Sequence, residues 1–406
     1  MDRSSRPFVL DPTGRDIHAE AAKLAERGPA TLVELPGEVV AWSVNRQETL
    51  RQLLSDSRVS KNPRMHWPRY INGEIAEDWP LHLWVSVQNM FTAYGADHRR
   101  LRSLVSKAFT PRRVSGMRPW IEQITASLLD TLDSAEQPVD LREGYAYPIP
   151  IEVICQLFGV HDSVRADLRR VVDGIFDTTA TAEDAVANVQ KMYQIMHELV
   201  AAKKQTPGDD LTSELISVRE EDGSHLTEAE LVDTLILVIS AGHETTVNLL
   251  DQAITALLTH PEQLELVRSG TGSWADVIEE TLRWQAPVAY LPLRYAVEDI
   301  QLDDEITIRK GDAILAAYAS AGRDRSMYGD TADAFDITRD EKTHLAFGHG
   351  VHYCLGAPLA RLEAEVALPA LFTRFPEIKL AVAPDKLEHG HSFISNGHVA
   401  LPVTLH

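Results

Sequence analysis

The chain has only two cysteines, Cys155 and Cys354, in 406 residues. That is too few for a disulfide framework, and no pair has zinc-finger spacing, so a reducing compartment, the cytoplasm, is expected. Basic charge is also short. Lys plus Arg number 39 against 60 Asp plus Glu, for a formal net charge of -21. A surface of that sign repels a phosphate backbone, which argues against a nucleic-acid partner. Long apolar runs are missing too. The most apolar stretch, Leu235 to Ile239, is far too short to cross a bilayer. The opening residues, MDRSSRPFVLDPTGRD, contain nothing like a signal peptide, so no membrane anchor is expected. Neither internal repeats nor a low-complexity linker divide the chain.

What is present is helical periodicity. Asp97 to Phe109, Met117 to Leu132, Ile151 to Phe158 and Ala187 to Lys203 carry apolar residues at three- and four-residue spacing. Strand-like stretches are short: Val39 to Val44, then pieces between Leu291 and Tyr318 split by Gly and Asp. Thr206-Pro-Gly-Asp-Asp reads as a loop. One helix is set apart by its length. Thr227-Glu-Ala-Glu230 is a capping box, and the pattern runs to Thr259 before His260-Pro261 ends it. At 1.5 Å per residue it would reach about 48 Å. Its middle is apolar all round, the mark of a helix through a core. Yet His243, Glu244, Thr245 and Thr246 sit at that depth, and buried polar groups need partners or a purpose.

The two cysteines read differently. Cys155 lies in an ordinary core-helix pattern and reads as structural. Cys354 sits in Phe347-Gly-His-Gly350-Val-His352-Tyr-Cys354-Leu-Gly356, followed by a helical pattern. A Cys before a helix N-terminus has its thiolate stabilised by free N–H groups and the helix dipole. Phe347, Gly350, His352, Cys354 and Gly356 resemble the haem-binding loop of the cytochrome P450 family at every position. Other segments agree in chain order. Ala241-Gly242-His243-Glu244-Thr245-Thr246 resembles the family's oxygen-activation motif, and Glu280-Thr-Leu-Arg283 its ExxR pair. Arg339, fifteen residues before Cys354, falls where the third member of that buried set is expected.

The resemblance implies a mainly α fold with small β-sheets. A triangular helical prism would hold haem b between the long central helix and the helix after Cys354. One domain would cover residues 1–406, with β-rich parts near 30–60, 290–320 and 376–406. Cys354 would ligate the iron. His98, Arg102, Arg294 and His352 would meet the propionates, with Phe347, Gly348, Gly356, Ala241 and Gly242 against the ring. Glu244 and Thr245 would deliver protons to bound dioxygen, since reductive cleavage of O2 consumes two. Thr245 could instead bond back to the preceding helical turn. Glu280, Arg283 and Arg339 would be structural.

A monooxygenase of this kind hydroxylates a substrate with O2 and electrons from ferredoxin and ferredoxin reductase, since the chain shows no electron-transfer domain of its own. Arg99, Arg100, Lys107, Arg112 and Arg113 form a basic cluster that could dock an acidic ferredoxin. Gln88, Met90, Phe91, Phe176, Val238, Ala241, Val288, Leu291, Phe393, Ile394 and Asn396 are the expected substrate contacts. The chain resembles an actinobacterial group acting on steroids or macrolides, and steroid hydroxylation by a monomer is the leading expectation. The competing readings are a macrolide hydroxylase, direct use of peroxide, a haem-thiolate sensor, and a zinc site at His349, His352 and Cys354.

Overall fold

The structure is a computed structural model describing residues 6–107, 109–218 and 223–406. The reading of Met1 to Ser5 lies outside it, as does Ala108 within the expected Asp97 to Phe109 helix.

Helices dominate. The expected long helix spans Glu228–Thr259, and both halves of its capping box form: Thr227 accepts from Glu230 N–H while Glu230 accepts from Thr227 N–H. It ends at His260, before Pro261. Its faces are buried by Pro148–Phe158, Ala182–Gln205, Trp274–Trp284 and Ala357–Arg374, which all pack on it. Leu235, Ile239, Val247 and Leu250 have essentially no exposure, as an all-round apolar stretch requires. Cys155 is buried in Pro148–Phe158, and burial pushes its thiol up to about 12, so it is an inert core residue.

The main sheet has six strands, in spatial order Phe8–Val9, Ala30–Leu35, Val39–Val44, Ala313–Ala317, Tyr290–Ala296 and Val59–Ser60. Strand Tyr290–Ala296 contains Pro292, which has no N–H to give to a ladder. Its pairing with Ala313–Ala317 accordingly shifts register between Leu291 and Arg294. Past the shift Arg294 is buried, and the Pro292 carbonyl accepts from Lys61 Nζ at 3.1 Å. A three-stranded sheet joins Lys379–Leu380, Pro402–Thr404 and Val139–Asp140. Among the described residues no helix is long and apolar enough to cross a membrane.

Candidate active site

The loop before Cys354 folds back on itself. Gly348 N–H donates to the Leu345 carbonyl at 2.7 Å, and Cys354 N–H to the Phe347 carbonyl at 2.8 Å. Gly350 has φ +70°, and a Cβ there would stand 2.6 Å from the Leu54 carbonyl oxygen, so glycine is required. Burial pushes the Cys354 thiol up. The N–H groups of Gly356 and Ala357, then Arg102 and Arg361, act against that rise and stabilise the thiolate. Arg361 also fixes the loop. Its guanidinium lies 4.5 Å over the Phe347 ring and grips Glu279 through two bonds of 2.6 and 2.9 Å.

Cys354 opens onto a cavity of about 280 Å³. Phe347, Gly348, His352 and Gly356 line it from the Cys loop, and Ala241, Gly242 and Thr245 from the central helix. Met90, Phe91, Phe176, Val238, Val288 and Leu291 form further wall, as expected of substrate contacts. Four other candidates do not reach it. Gln88 is exposed, and its neighbour Asn89 lines the cavity instead. Phe393 and Ile394 are fully buried, and the Ile394 carbonyl accepts from Ala289 N–H at 2.8 Å. Asn396 is spent on Gln285, on the Ala286 carbonyl and, through its N–H, on the Pro287 carbonyl. This segment braces the Pro287–Val288 wall from behind.

Gly242 is small for a reason the motif does not reveal. A Cβ there would meet Ile154 Cδ1 at 2.6 Å, so glycine allows Pro148–Phe158 to cross closely. Thr245 donates to the Ala241 carbonyl at 2.7 Å, the back-bonded arrangement, while facing the cavity. Glu244 does not line the cavity. It is buried on the adjacent face, bonded to Arg142 at 3.1 Å and Ser395 at 2.8 Å. Arg142 also pairs with Asp251 at 3.2 Å. Half-exposed Asp173, whose carboxyl burial and Glu244 raise to about 6, lies beside Glu244 and His243. A file of polar groups therefore runs from the surface to Glu244.

A basic floor completes the cavity. Arg102, Arg294 and His352 line it, and the His98 ring lies against His352, tilted by 48°, at 4.1 Å between centroids. Burial, then Arg102 and Arg99, lower His98 to about 4. Burial, then Arg294, His98, Lys61 and Arg102, lower His352 further. His98 Nε2 and Arg294 Nε are buried without a hydrogen-bond partner. Two charged wall residues escaped the sequence reading. Lys61 has no motif around it. Glu363, one helical face on from Leu359, is fully buried with both carboxylate oxygens unpartnered, and burial holds it well above the carboxylate range. The i, i+4 spacing from Leu359 was the available signal.

Outside the cavity, Arg283 donates to Glu280 at 2.8 and 2.7 Å, with neither side chain exposed at all. Arg339 reaches the same carboxylate at 3.5 Å. The basic cluster is partly neutralised: Arg100 pairs with Glu230 and Arg113 with Glu214, while Arg99, Lys107 and Arg112 are exposed. Among the described residues the one group with metal-ligand geometry is Asp173, His243 and Glu244, and His349, His352 and Cys354 form none.

The family description for cytochrome P450 matches residues 168–269 and 275–395. The chain is 47% identical over 401 residues to a 2-hydroxy-5-methyl-1-naphthoate 7-hydroxylase of Streptomyces carzinostaticus, covering 98% of this chain and 97% of that one. It is 36% identical to the 6-deoxyerythronolide B hydroxylase of Saccharopolyspora erythraea, over 96% of each chain. CYP154C4 from Streptomyces sp. ATCC 11861, solved with testosterone bound, superposes with a TM-score of 0.95 at 42% identity, covering 99% of this chain and 98% of that one. The chain belongs to the cytochrome P450 family and is a P450 monooxygenase.

The family implies a haem iron, and the residues fit one. A flat dianionic macrocycle would give acceptors to the orphaned His98 and Arg294 nitrogens and countercharge to a floor that has none. It would also present its metal to Cys354, whose sulfur already has N–H support.

Proposed function

We propose that this chain hydroxylates an unactivated C–H bond of a broad, rigid, mostly apolar molecule, with haem b as cofactor and ferredoxin with its reductase as electron donors. The observation that carries this reading is the wall facing Cys354. It is almost wholly apolar and includes Trp84, which stands edge-on to Phe91 at 6.1 Å and Phe176 at 5.4 Å. Such interlocked rings form a slot that suits a fused-ring plate better than a flexible chain. A steroid nucleus remains the leading substrate. A fused aromatic polyketide is of the same breadth, and the naphthoate in the hydroxylase's name and the testosterone bound to CYP154C4 are both fused rings. The erythronolide hydroxylase keeps the macrolactone reading as the second one.

When bound through a thiolate, haem iron supplies the activation of dioxygen. The protein's own residues do the rest. Gly356 and Ala357 N–H groups and Arg361 hold the thiolate. Thr245 offers a hydroxyl at the cavity wall, free to leave the Ala241 carbonyl for a bound ligand. Glu244 lies on the adjacent helix face, and rotation away from Arg142 and Ser395 would bring its carboxyl toward Thr245 as a proton relay, with Asp173 linking it to solvent. The apolar wall excludes bulk water. Arg99 and Arg112, both exposed, face solvent for an acidic electron donor.

Titration of the ferric protein with steroids, fused aromatics and macrolactones, followed by the haem spin-state shift, tests this. Micromolar binding of fused-ring ligands is expected. A clear response to macrolactones with none to steroids or fused aromatics would reverse the order.

A further inference from the structure

Asp233 is a buried acid that neither the basic floor nor the polar file at Glu244 uses. It lies in the second turn of the central helix Glu228–Thr259 and is 5% exposed. Among the described residues no cation forms an ion pair with it. Its two oxygens serve two different elements. Oδ1 accepts from the Tyr193 hydroxyl at 2.7 Å, and Tyr193 belongs to helix Ala182–Gln205. Oδ2 accepts from Gln88 N–H. The next residue, Asn89, donates its side-chain amide to the Asp233 carbonyl at 2.7 Å. Two consecutive residues of one segment are thus held by a single residue of the helix.

What is held is the substrate wall. Residues 87–94 run between helices His82–Ser86 and Gly95–Ser106 and belong to no helix or strand. Val87, Asn89, Met90 and Phe91 line the cavity, and Phe91 makes the edge-on contact with Trp84. With no ladder to place it, the segment takes its shape from side-chain bonds. Phe91 N–H extends the chain by donating to Asn89 Oδ1 at 2.9 Å. The helix side of the clamp faces the same space. Ile236, Leu237 and Ser240, three, four and seven residues past Asp233, also line the cavity. Asp233 itself stands at the end of that strip and is not part of the wall. An apolar residue would pack here without the desolvation cost of a carboxylate. What the acid adds is direction, because a charge-assisted bond fixes a backbone N–H in place.

We propose that Asp233 is a positioning residue for the substrate. Its carboxylate and carbonyl clamp Gln88 and Asn89 to the central helix, which sets the place of Met90 and Phe91 and so the width of the slot that admits a flat fused-ring body. The proposal rests on the hydroxylase reading above and deepens it. Tyr193 holds the carboxylate in the orientation that faces Gln88. Releasing the clamp frees the wall from the helix, so broad ligands lose their fit while the Cys354 loop is untouched.

The test uses the ferric haem-loaded protein with two probes: testosterone, read by the spin-state shift, and imidazole, a small ligand read by its own absorbance change. Asp233→Leu should weaken testosterone binding about tenfold or more, the scale of one charge-assisted bond, and leave imidazole within about twofold. Asp233→Asn is the rescue. Its amide oxygen can accept from Gln88 N–H while its NH2 donates to the Tyr193 hydroxyl, which accepts as well as donates. That variant should bind testosterone within about threefold of the native chain. If Asp233→Leu binds testosterone normally, or weakens both probes alike, Asp233 does not position the wall and the proposal is overturned. Failure of the underlying reading looks different: testosterone and 1-naphthoate would then both leave the native spin state unchanged, and the slot would fall with it. Hydrogen exchange of the native chain decides the clamp even if the variants fold poorly. The Gln88 side chain is exposed, yet its N–H is held by a buried acid. That amide should exchange about a hundredfold or more slowly than in a short unfolded peptide of the same sequence. Exchange at the peptide's rate overturns the proposal.

Discussion

Two buried clusters of charge in this molecule are opposites. Around Glu280 every group is answered. Arg283 gives two hydrogen bonds to the carboxylate and others to the carbonyls of Gly322, Ala332 and Ala334, while Asp336 N–H and Arg339 complete the acceptor side. Around His352 no charge is answered by an acid: Arg102, Arg294, His98 and Lys61 converge, Arg102 and Lys61 reach only the carbonyls of Tyr353 and Pro292, and two nitrogens are orphaned. The first cluster is complete in the chain alone, which marks a structural role. The second is complete only with an anion, which marks a binding role. Burial of charge is common to both, so satisfaction, not burial, tells them apart.

The comparison predicts opposite responses to the same operation, removal of one charge. The largest effect is expected in the closed cluster. Glu280→Gln leaves Arg283 buried and uncompensated and should cost about 3–5 kcal/mol in chemical denaturation of the haem-free chain. A loss below about 1 kcal/mol would break the comparison.

Next comes a pH effect confined to the open cluster. His98 is held near 4 in the haem-free fold, below its ordinary 6.5, so the folded chain binds fewer protons than the unfolded one between those values. Its contribution is present above pH 6.5 and is lost as pH falls toward 4, by roughly 2 kcal/mol. Haem propionates would reverse the electrostatics, so the haem-loaded chain should lose less over this window. Thermal denaturation of both forms, with His98→Gln as control, measures the difference. Identical slopes for the two forms would contradict an anion at this floor.

The smallest stability change is expected at Arg294. Arg294→Met should leave the haem-free chain within about 1 kcal/mol of the native one, or stabilise it, because a buried unpaired cation is removed. The same variant should release haem about tenfold faster, an effect of one charge-assisted bond. A strong destabilisation without haem would place Arg294 with the closed cluster.

Much of this site was legible because its parts are local. Five residues of the Cys354 loop lie within ten positions, and the turn, the N–H groups and the helix after it follow from short-range geometry. The capping box at Thr227 and the Glu280–Arg283 pair at i, i+3 are likewise single-turn features. The misses are of another kind. Gln88 and Asn89 differ by one position, and only the packing of the segment against the central helix, through Asn89 on the Asp233 carbonyl, decides which turns inward. Gly242 does line the cavity, but its second constraint, the close crossing of Ile154 from 88 residues earlier, is invisible to local pattern. Phe393, Ile394 and Asn396 are near the cavity but one layer behind it, and composition carries no information on layers. Glu244 was expected beside the reacting centre, and its partners Arg142 and Ser395 lie 102 residues before it and 151 after it.

The amino-acid sequence by itself determined the chemistry this protein can perform, because Cys354 with its glycines and following helix is a contiguous unit whose electrostatics arise within a few residues. Tertiary structure alone decided what surrounds that unit. The bulge at Pro292, the crossing at Gly242 and the burial of Lys61 each bring together groups far apart in the chain, and the cavity's shape and charge exist only once those distances close.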